Sequence, residues 1–245
     1  MECGAEKINP YNDTDSKTAQ VEQMFDSIAP AYDFMNRAMT FGIDKLWRRR
    51  AVKMIAKHAP KRILDIATGT GDLAIRLAKS LKPESVVGVD LSEQMLAIGK
   101  EKVKKEGLAG IVSLSPADCM HLPFENEIFD CVTVAYGVRN FEHLQQGYEE
   151  MHRVLRSGGV LCVIELSTPT SPLVKPFYKA YTKWIIPAVG RLVSKDVRAY
   201  SYLPESIAAV PQGENMLALM KNAGFSQCSF IPLTFGTCTI YVAVK

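Results

Sequence analysis

The 245-residue chain predicts a doubly wound α/β domain with a mostly parallel seven-stranded sheet that ends in an antiparallel strand. Three observations carry that prediction. From 61 to 167, short β-rich runs alternate with segments of helical length, the rhythm of right-handed βαβ units whose parallel sheet is covered on both faces. A Gly69-x-Gly71 loop stands where the first of these strands turns into its helix. Near the C-terminal end two β-rich runs, CSFIPLTF and TCTIYVAV, are separated by Gly236, a spacing that forces them antiparallel.

The elements follow in order. Residues 1–20 are polar, carry Asn-Pro, Asn-Asp and Asp-Ser turn signals, and read as a mobile tail ahead of a single domain over 21–245. Residues 21–60 give two helices: VEQMFDSIAPAYDFMNR, expected to break at Pro30, and DKLWRRRAVKMIAKHA, expected to start at an N-cap Asp44. The core over 61–167 then alternates RILDIATG with DLAIRLAKSL, VVGVDL with EQMLAIGKEKVKKEG, then VSLSPAD, FDCVTVAY with LQQGYEEMHRVLRSGG, and VLCVIELS. Residues 168–210 interrupt that rhythm with an aromatic, proline-punctuated helical insertion, and 211–245 supply a helix, GENMLALMKNAG, and the closing strand pair.

Composition narrows the function classes. A hydrophobic fraction of 47% with 22% charged residues excludes disorder, and a net charge of +3 is no nucleic-acid footprint by itself. Six cysteines without a CxxC pair, several inside apolar runs, read as reduced thiols of a cytoplasmic protein and predict no metal site. No apolar run reaches the ~18 residues of a spanning helix, and no signal-like segment opens the chain.

Gly69 and Gly71 allow close backbone approach at the carboxyl ends of the strands, where open α/β sheets bind ligands. With Ala74 the spacing also fits a dinucleotide fingerprint, so an NAD(P)-dependent oxidoreductase is a first reading. Three carboxylates argue for another nucleoside. Asp65, on the strand before the loop, is placed to accept from an ammonium or to orient the loop. Asp90 closes the second strand, where it can take both hydroxyls of a ribose, and Asp118, beside Cys119, closes the third near an adenine amino group. Each alone is equally well a helix cap; three around one loop describe a pocket for adenosine plus an amino acid, S-adenosyl-L-methionine.

The segments VEQMFDSIAPAYDFMNR, GIDKLWRRR, LDIATGTGDLA, ADCMHLPF, FDCVTVAYGVRNF, VLRSGG, KDVRAYSYLPESIAAVP and NAGF resemble the ubiquinone/menaquinone biosynthesis C-methyltransferases (UbiE/MenG), from about Val21 to the C-terminus. The resemblance implies a class I S-adenosylmethionine-dependent methyltransferase fold, with cofactor contacts at Thr70, Asp90, Asp118 and Cys119. A further contact position, often Ser in that family, is Ala135 here, and Tyr136 stands where many relatives have Phe. It also implies methyl transfer to a ring carbon of a polyprenylated quinol: demethylmenaquinol, toward which the VSKDVRAYSYLPESIAAVP segment leans, or the benzoquinol of ubiquinone synthesis. Tyr136, Arg139 and Asn140 are the candidates for orienting the acceptor and handling protons, with His143 one turn further on; loop anchoring and a plain surface histidine are the competing roles.

Two segments address the lipid tail. In KPFYKAYTKWII, Lys175, Lys179 and Lys183 form a stripe opposite Phe177, Tyr181 and Trp184, a basic amphipathic helix that either packs on the sheet or meets a membrane. A second basic cluster holds Arg48, Arg49, Arg50, Lys53, Lys57, Lys61 and Arg62, suited to anionic lipid or, in an RNA methyltransferase, to nucleic acid. The near-neutral total charge and lack of an RNA-binding module weigh against nucleic acid. The expectation is a cytoplasmic enzyme whose N-terminal helices and insertion form a lid that touches the inner face of the membrane.

Overall fold

The computed structural model describes residues 3–12, 14–186, 188 and 197–245. Seven strands form one sheet in the order β3-β2-β1-β4-β5-β7-β6: β1 (Arg62–Ile66), β2 (Ser85–Asp90), β3 (Val112–Pro116), β4 (Phe129–Ala135), β5 (Leu155–Leu166), β6 (Ser226–Leu233) and β7 (Cys238–Val244). β1 to β5 pair in parallel, and β7 runs antiparallel to both neighbours, with Ile164 opposite Ile240 in β5. The order reverses between β1 and β4, the switch point at which such sheets bind ligands.

Side-chain alternation sorts the strands onto two cores. Leu64, Ile66, Val132, Val134, Leu161 and Val163 face α5 (Leu144–Val154) and α8 (Glu214–Asn222), among Tyr148, Met151, Met216 and Met220. Ile63, Cys131, Val160, Cys162 and Ile164 face the other side, with α2 (Asp44–Ile55), α3 (Asp72–Leu81) and α4 (Glu93–Lys105). A third, smaller cluster joins Met24, Ile28 and Met35 of α1 (Lys17–Met39) to Tyr200 and Tyr202 of α7 (Val197–Ala209) across the carboxyl edge of the sheet.

Four expectations are corrected. Helix α1 runs through Pro30 without ending, because Pro30 lies on its exposed side and tertiary bonds hold the helix before and after it. Where a mobile tail is expected, parts of the described stretch before 21 are docked: Ala5 and Lys17 are buried, Lys17 Nζ donates to the carbonyls of Ala5 and Arg139, and Glu6 accepts from the Leu144 amide. Helix α5 stops at Val154, and LRSGG belongs to β5. In the insertion, α6 (Lys175–Ala180) passes into a π-helical turn over Tyr181–Ile185, so the helical stripe does not persist. The rest of that insertion, at 187 and 189–196, lies outside the described residues.

Candidate active site

The glycine loop is seated from below. Asp65 is buried and accepts from Thr133 Oγ1 at 2.6 Å and Thr68 Oγ1 at 2.7 Å, tying β4 and the loop to β1. Burial pushes its pKa up to about 6, against the pull of those two bonds. Gly69 and Gly71 take φ of +55° and +77°, which a side chain would strain. Asp90 Oδ2 accepts from the Gly69 amide at 2.7 Å and Oδ1 from the Ser92 amide at 3.0 Å. The N-cap of α4 is Ser92, not Asp90, so the helix-cap role is already filled and Asp90 remains for the pocket.

That pocket is a cleft at the carboxyl ends of the strands, walled by the glycine loop, the strand ends and α1. Gly69, Asp90, Asp118, Cys119, Ala135, Tyr136 and Asn140 all line it. Asp118 Oδ1 accepts from the Met120 amide at 2.9 Å, leaving Oδ2 for a ligand amino group apart from a long 3.4 Å contact to His121. Asp65, Thr70 and Gly71 lie behind the wall. Thr70 Oγ1 donates to Asp33 at 2.7 Å and accepts from Lys102 at 3.0 Å, so its hydroxyl serves the loop's attachment to α1 and α4. Two carboxylates at the pocket's strand ends, a close-approach glycine and apolar walls fit an adenosyl ligand bearing an amino acid.

Helix α1, expected in a lid over the acceptor, also forms a wall of this pocket. Val21, Phe25 and Tyr32 close the pocket, and polar ties hold the helix down: Ser92 Oγ donates to Asp26 at 2.5 Å, Lys102 to Asp33 at 2.8 Å, and Thr18 Oγ1 to Glu142 at 2.6 Å. The signal was in the sequence, since Asp26 and Asp33 are seven residues apart and share one face of a helix.

A second, larger and mainly apolar cavity lies beside the first. Its walls come from α1, α2, the insertion and the β6–β7 connection, and Tyr32 and Tyr136 line both cavities. Tyr136 has a φ of +63°, conformational strain of the kind found at functional sites. A Cβ on Gly137 would stand 2.6 Å from that of Ala67, so the turn fits only with glycine there. Arg139 is clamped: its Nη1 donates to Glu165 Oε1 at 2.8 Å and to the Tyr136 carbonyl, and its own carbonyl accepts from Lys17. Among the described residues, the buried side-chain polar atoms without a hydrogen-bond partner are Arg139 Nε, Tyr136 Oη and Arg48 Nε.

Arg139 and Tyr136 line the second cavity, while Asn140 stays with the first and accepts from Tyr202 Oη at 3.1 Å. His143 is exposed and lines neither. Arg48, expected on a lipid-facing cluster, is instead buried, ion-paired with Asp44 and 5.2 Å over the Tyr136 ring; the rest of that cluster is exposed. At the mouth of the second cavity Phe41 and Phe177 are both 77% exposed, and Trp184 and Phe235 nearby are exposed as well.

The family model described as the ubiE/COQ5 methyltransferase family matches residues 13–245. The chain is 50% identical to a Bacteroides fragilis demethylmenaquinone methyltransferase, with all of both chains covered. It is 45% identical to a Porphyromonas gingivalis protein of the same name, over 98% of each, and 43% identical to a Geobacter sulfurreducens ubiquinone/menaquinone biosynthesis C-methyltransferase UbiE, over 100% of this chain and 95% of that one. In fold it matches the cyclase SpnF (TM-score 0.66, 18% identity, 93% and 96% covered) and a possible histamine N-methyltransferase of Thermotoga maritima (TM-score 0.63, 20% identity, 91% and 99% covered). With the glycine loop, the strand-end carboxylates and the antiparallel β7 in place, these matches establish that the chain is an S-adenosylmethionine-dependent C-methyltransferase belonging to the ubiE/COQ5 methyltransferase family.

Proposed function

We propose that the chain methylates a ring carbon of demethylmenaquinol to give menaquinol. The observation that carries this reading is the pair of cavities meeting at Tyr32 and Tyr136, one edged by carboxylates and one apolar with an aromatic mouth. A polar donor and a lipid-tailed acceptor would meet at that junction with the tail leaving past Phe41 and Phe177. The two relatives named demethylmenaquinone methyltransferases support menaquinone over ubiquinone precursors.

S-adenosylmethionine supplies an electrophilic methyl group on a sulfonium that departs as a neutral thioether. The protein must hold the acceptor carbon in line with it and favour an anionic acceptor oxygen. Asp90 and Asp118 would hold the ribose and the adenine amino group, while the Asp65-anchored loop sets their spacing. Arg139, fixed by Glu165 and with Nε unpartnered, presents a preorganised cation toward the acceptor cavity, where it would stabilise a quinolate oxygen. Asn140 would steady the donor side of the junction through its bond with Tyr202.

The acceptor arrives from a bilayer, and no helix among the described residues is long and apolar enough to cross one. The exposed Phe41, Phe177 and Trp184, with Lys175, Lys179 and Lys183 among them, suit a peripheral contact with anionic lipid. Anaerobic turnover with demethylmenaquinol and with the polyprenyl benzoquinol, side by side, tests the reading. The expected result is methylation of demethylmenaquinol with the higher kcat/KM; absence of turnover with it overturns the proposal. In the same preparation S-adenosylhomocysteine should raise the melting temperature and NAD(P) should not.

A further inference from the structure

We infer that Asp44 is the general base that removes the acceptor's hydroxyl proton, an inference that rests on the quinol reading above. Of the side chains lining the second cavity, Asp44 is the one carboxylate among the described residues. It is 2% exposed, in the first turn of α2. Its Oδ1 accepts from Thr40 Oγ1 at 2.9 Å and its Oδ2 from Arg48, so each oxygen keeps a lone pair for a further donor. The charged and titratable groups facing it are Arg48 on its own helix, Tyr136 beyond β4, and Tyr32, Tyr178, Tyr181 and Arg139 around the same cavity.

The surroundings point to a ligand. Tyr136 lines the cavity and is more than nine-tenths buried, and its Oη has no hydrogen-bond partner. Burial holds the Tyr136 phenol far above its ordinary pKa, so it donates a hydrogen bond and is no base. A quinol carries two hydroxyl groups. Asp44, with Tyr136 beside it, meets one donor need that Arg139 cannot, because a guanidinium accepts no proton.

The step balances as follows. Asp44 takes the hydroxyl proton and the oxygen becomes anionic. The ring carbon's electron pair forms the new C–C bond while the methyl–sulfur bond breaks and its pair stays on sulfur. The methylated carbon then loses its proton to solvent, restoring the aromatic ring, and Asp44 returns its proton to the oxygen. One proton is released per turnover.

The test compares wild type with Asp44→Asn, Asp44→Glu and Arg48→Gln, using anaerobic demethylmenaquinol and S-adenosylmethionine. At neutral pH Asp44→Asn should lose kcat by about 10²-fold or more, with stabilisation by S-adenosylhomocysteine retained. Without a base the rate follows the fraction of free quinol ionised, so the variant's kcat should climb about tenfold per pH unit below a phenol pKa of about 10. Wild type and Arg48→Gln, which keep the carboxylate, should show the flatter profile. Asp44→Asn activity within about threefold of wild type, or a loss equal at every pH, overturns the inference. If Asp44→Asn does not fold, Asp44→Glu decides: a profile as flat as that of wild type supports the base, and a tenfold climb per pH unit overturns it. Failure of wild type itself to turn over demethylmenaquinol would instead overturn the quinol reading.

Discussion

Asp65→Asn isolates one buried carboxyl. The Asp65 side chain is 1% exposed, and burial raises its pKa from 3.8 to about 6. The native protein therefore holds this proton more tightly than the unfolded chain does. The stability it contributes is fully present below pH 3.8 and is lost as the pH rises through about 6. That interval, at about 1.36 kcal/mol per pH unit, corresponds to ~3 kcal/mol. Asparagine has the same shape and does not titrate; its oxygen takes one of the two threonine hydroxyls and its amide donates to the other. Asp90, also pushed up by burial, is present in both proteins, so its own titration largely cancels in the comparison. Urea unfolding of wild type and variant without cofactor, between about pH 4 and about pH 7, should show the difference moving by ~2 kcal/mol, the part of that total which the window spans, in favour of asparagine. A difference that stays constant across that range refutes the assignment of a high pKa to Asp65.

Two further substitutions probe the other side of the site. Arg139→Lys should keep part of the turnover and Arg139→Gln should lower kcat by about 10²-fold, both with unchanged S-adenosylhomocysteine affinity; a glutamine variant with wild-type kcat removes Arg139 from the chemistry. The double variant Phe177→Glu/Trp184→Glu, at exposed positions, should fold normally and lose co-sedimentation with anionic vesicles, and undiminished binding would remove the aromatic rim from membrane contact.

Period-two alternation made the sheet legible, since Val132 and Val134 go to one face and Cys131 to the other, and Phe129 departs from the alternation at the register shift between Phe129 and Cys131. That Asp90 and Asp118 share one cavity with Gly69 was legible because they sit at strand ends, positions fixed by chain order once the sheet is known. Thr70 shows the limit: a position within the loop does not tell which way its hydroxyl points, and here it bonds Asp33 of α1. The tail was misread because its turn residues are local signals, whereas Lys17 and Glu6 bond to residues 122 and 138 positions away. Pro30 and the π-helical turn at Tyr181–Ile185 were decided the same way, by packing against distant elements and not by local preference.

Helix α2 carries the most instructive case, because its sequence held a pattern that a charge count conceals. RRR at 48–50 reads as a basic cluster, yet the buried positions of the helix are 44, 47, 48, 51, 52 and 55, the i, i+3, i+4, i+7 stripe of an amphipathic helix. Two of the six are charged, and of opposite sign, four residues apart. A stripe that buries an Asp and an Arg among Trp47, Ala51, Val52 and Ile55 needs each to satisfy the other, and their ion pair does so. Replacing such a pair with apolar residues of similar volume often costs nothing in stability, so packing alone gives little reason for charge at this place. The donor pocket is built from the sheet edge and α1, while the acceptor cavity adds α2, the insertion and the β6–β7 connection. Charge carried into an apolar stripe at the wall of the second cavity is what the proposed proton transfer from the acceptor to Asp44 would require.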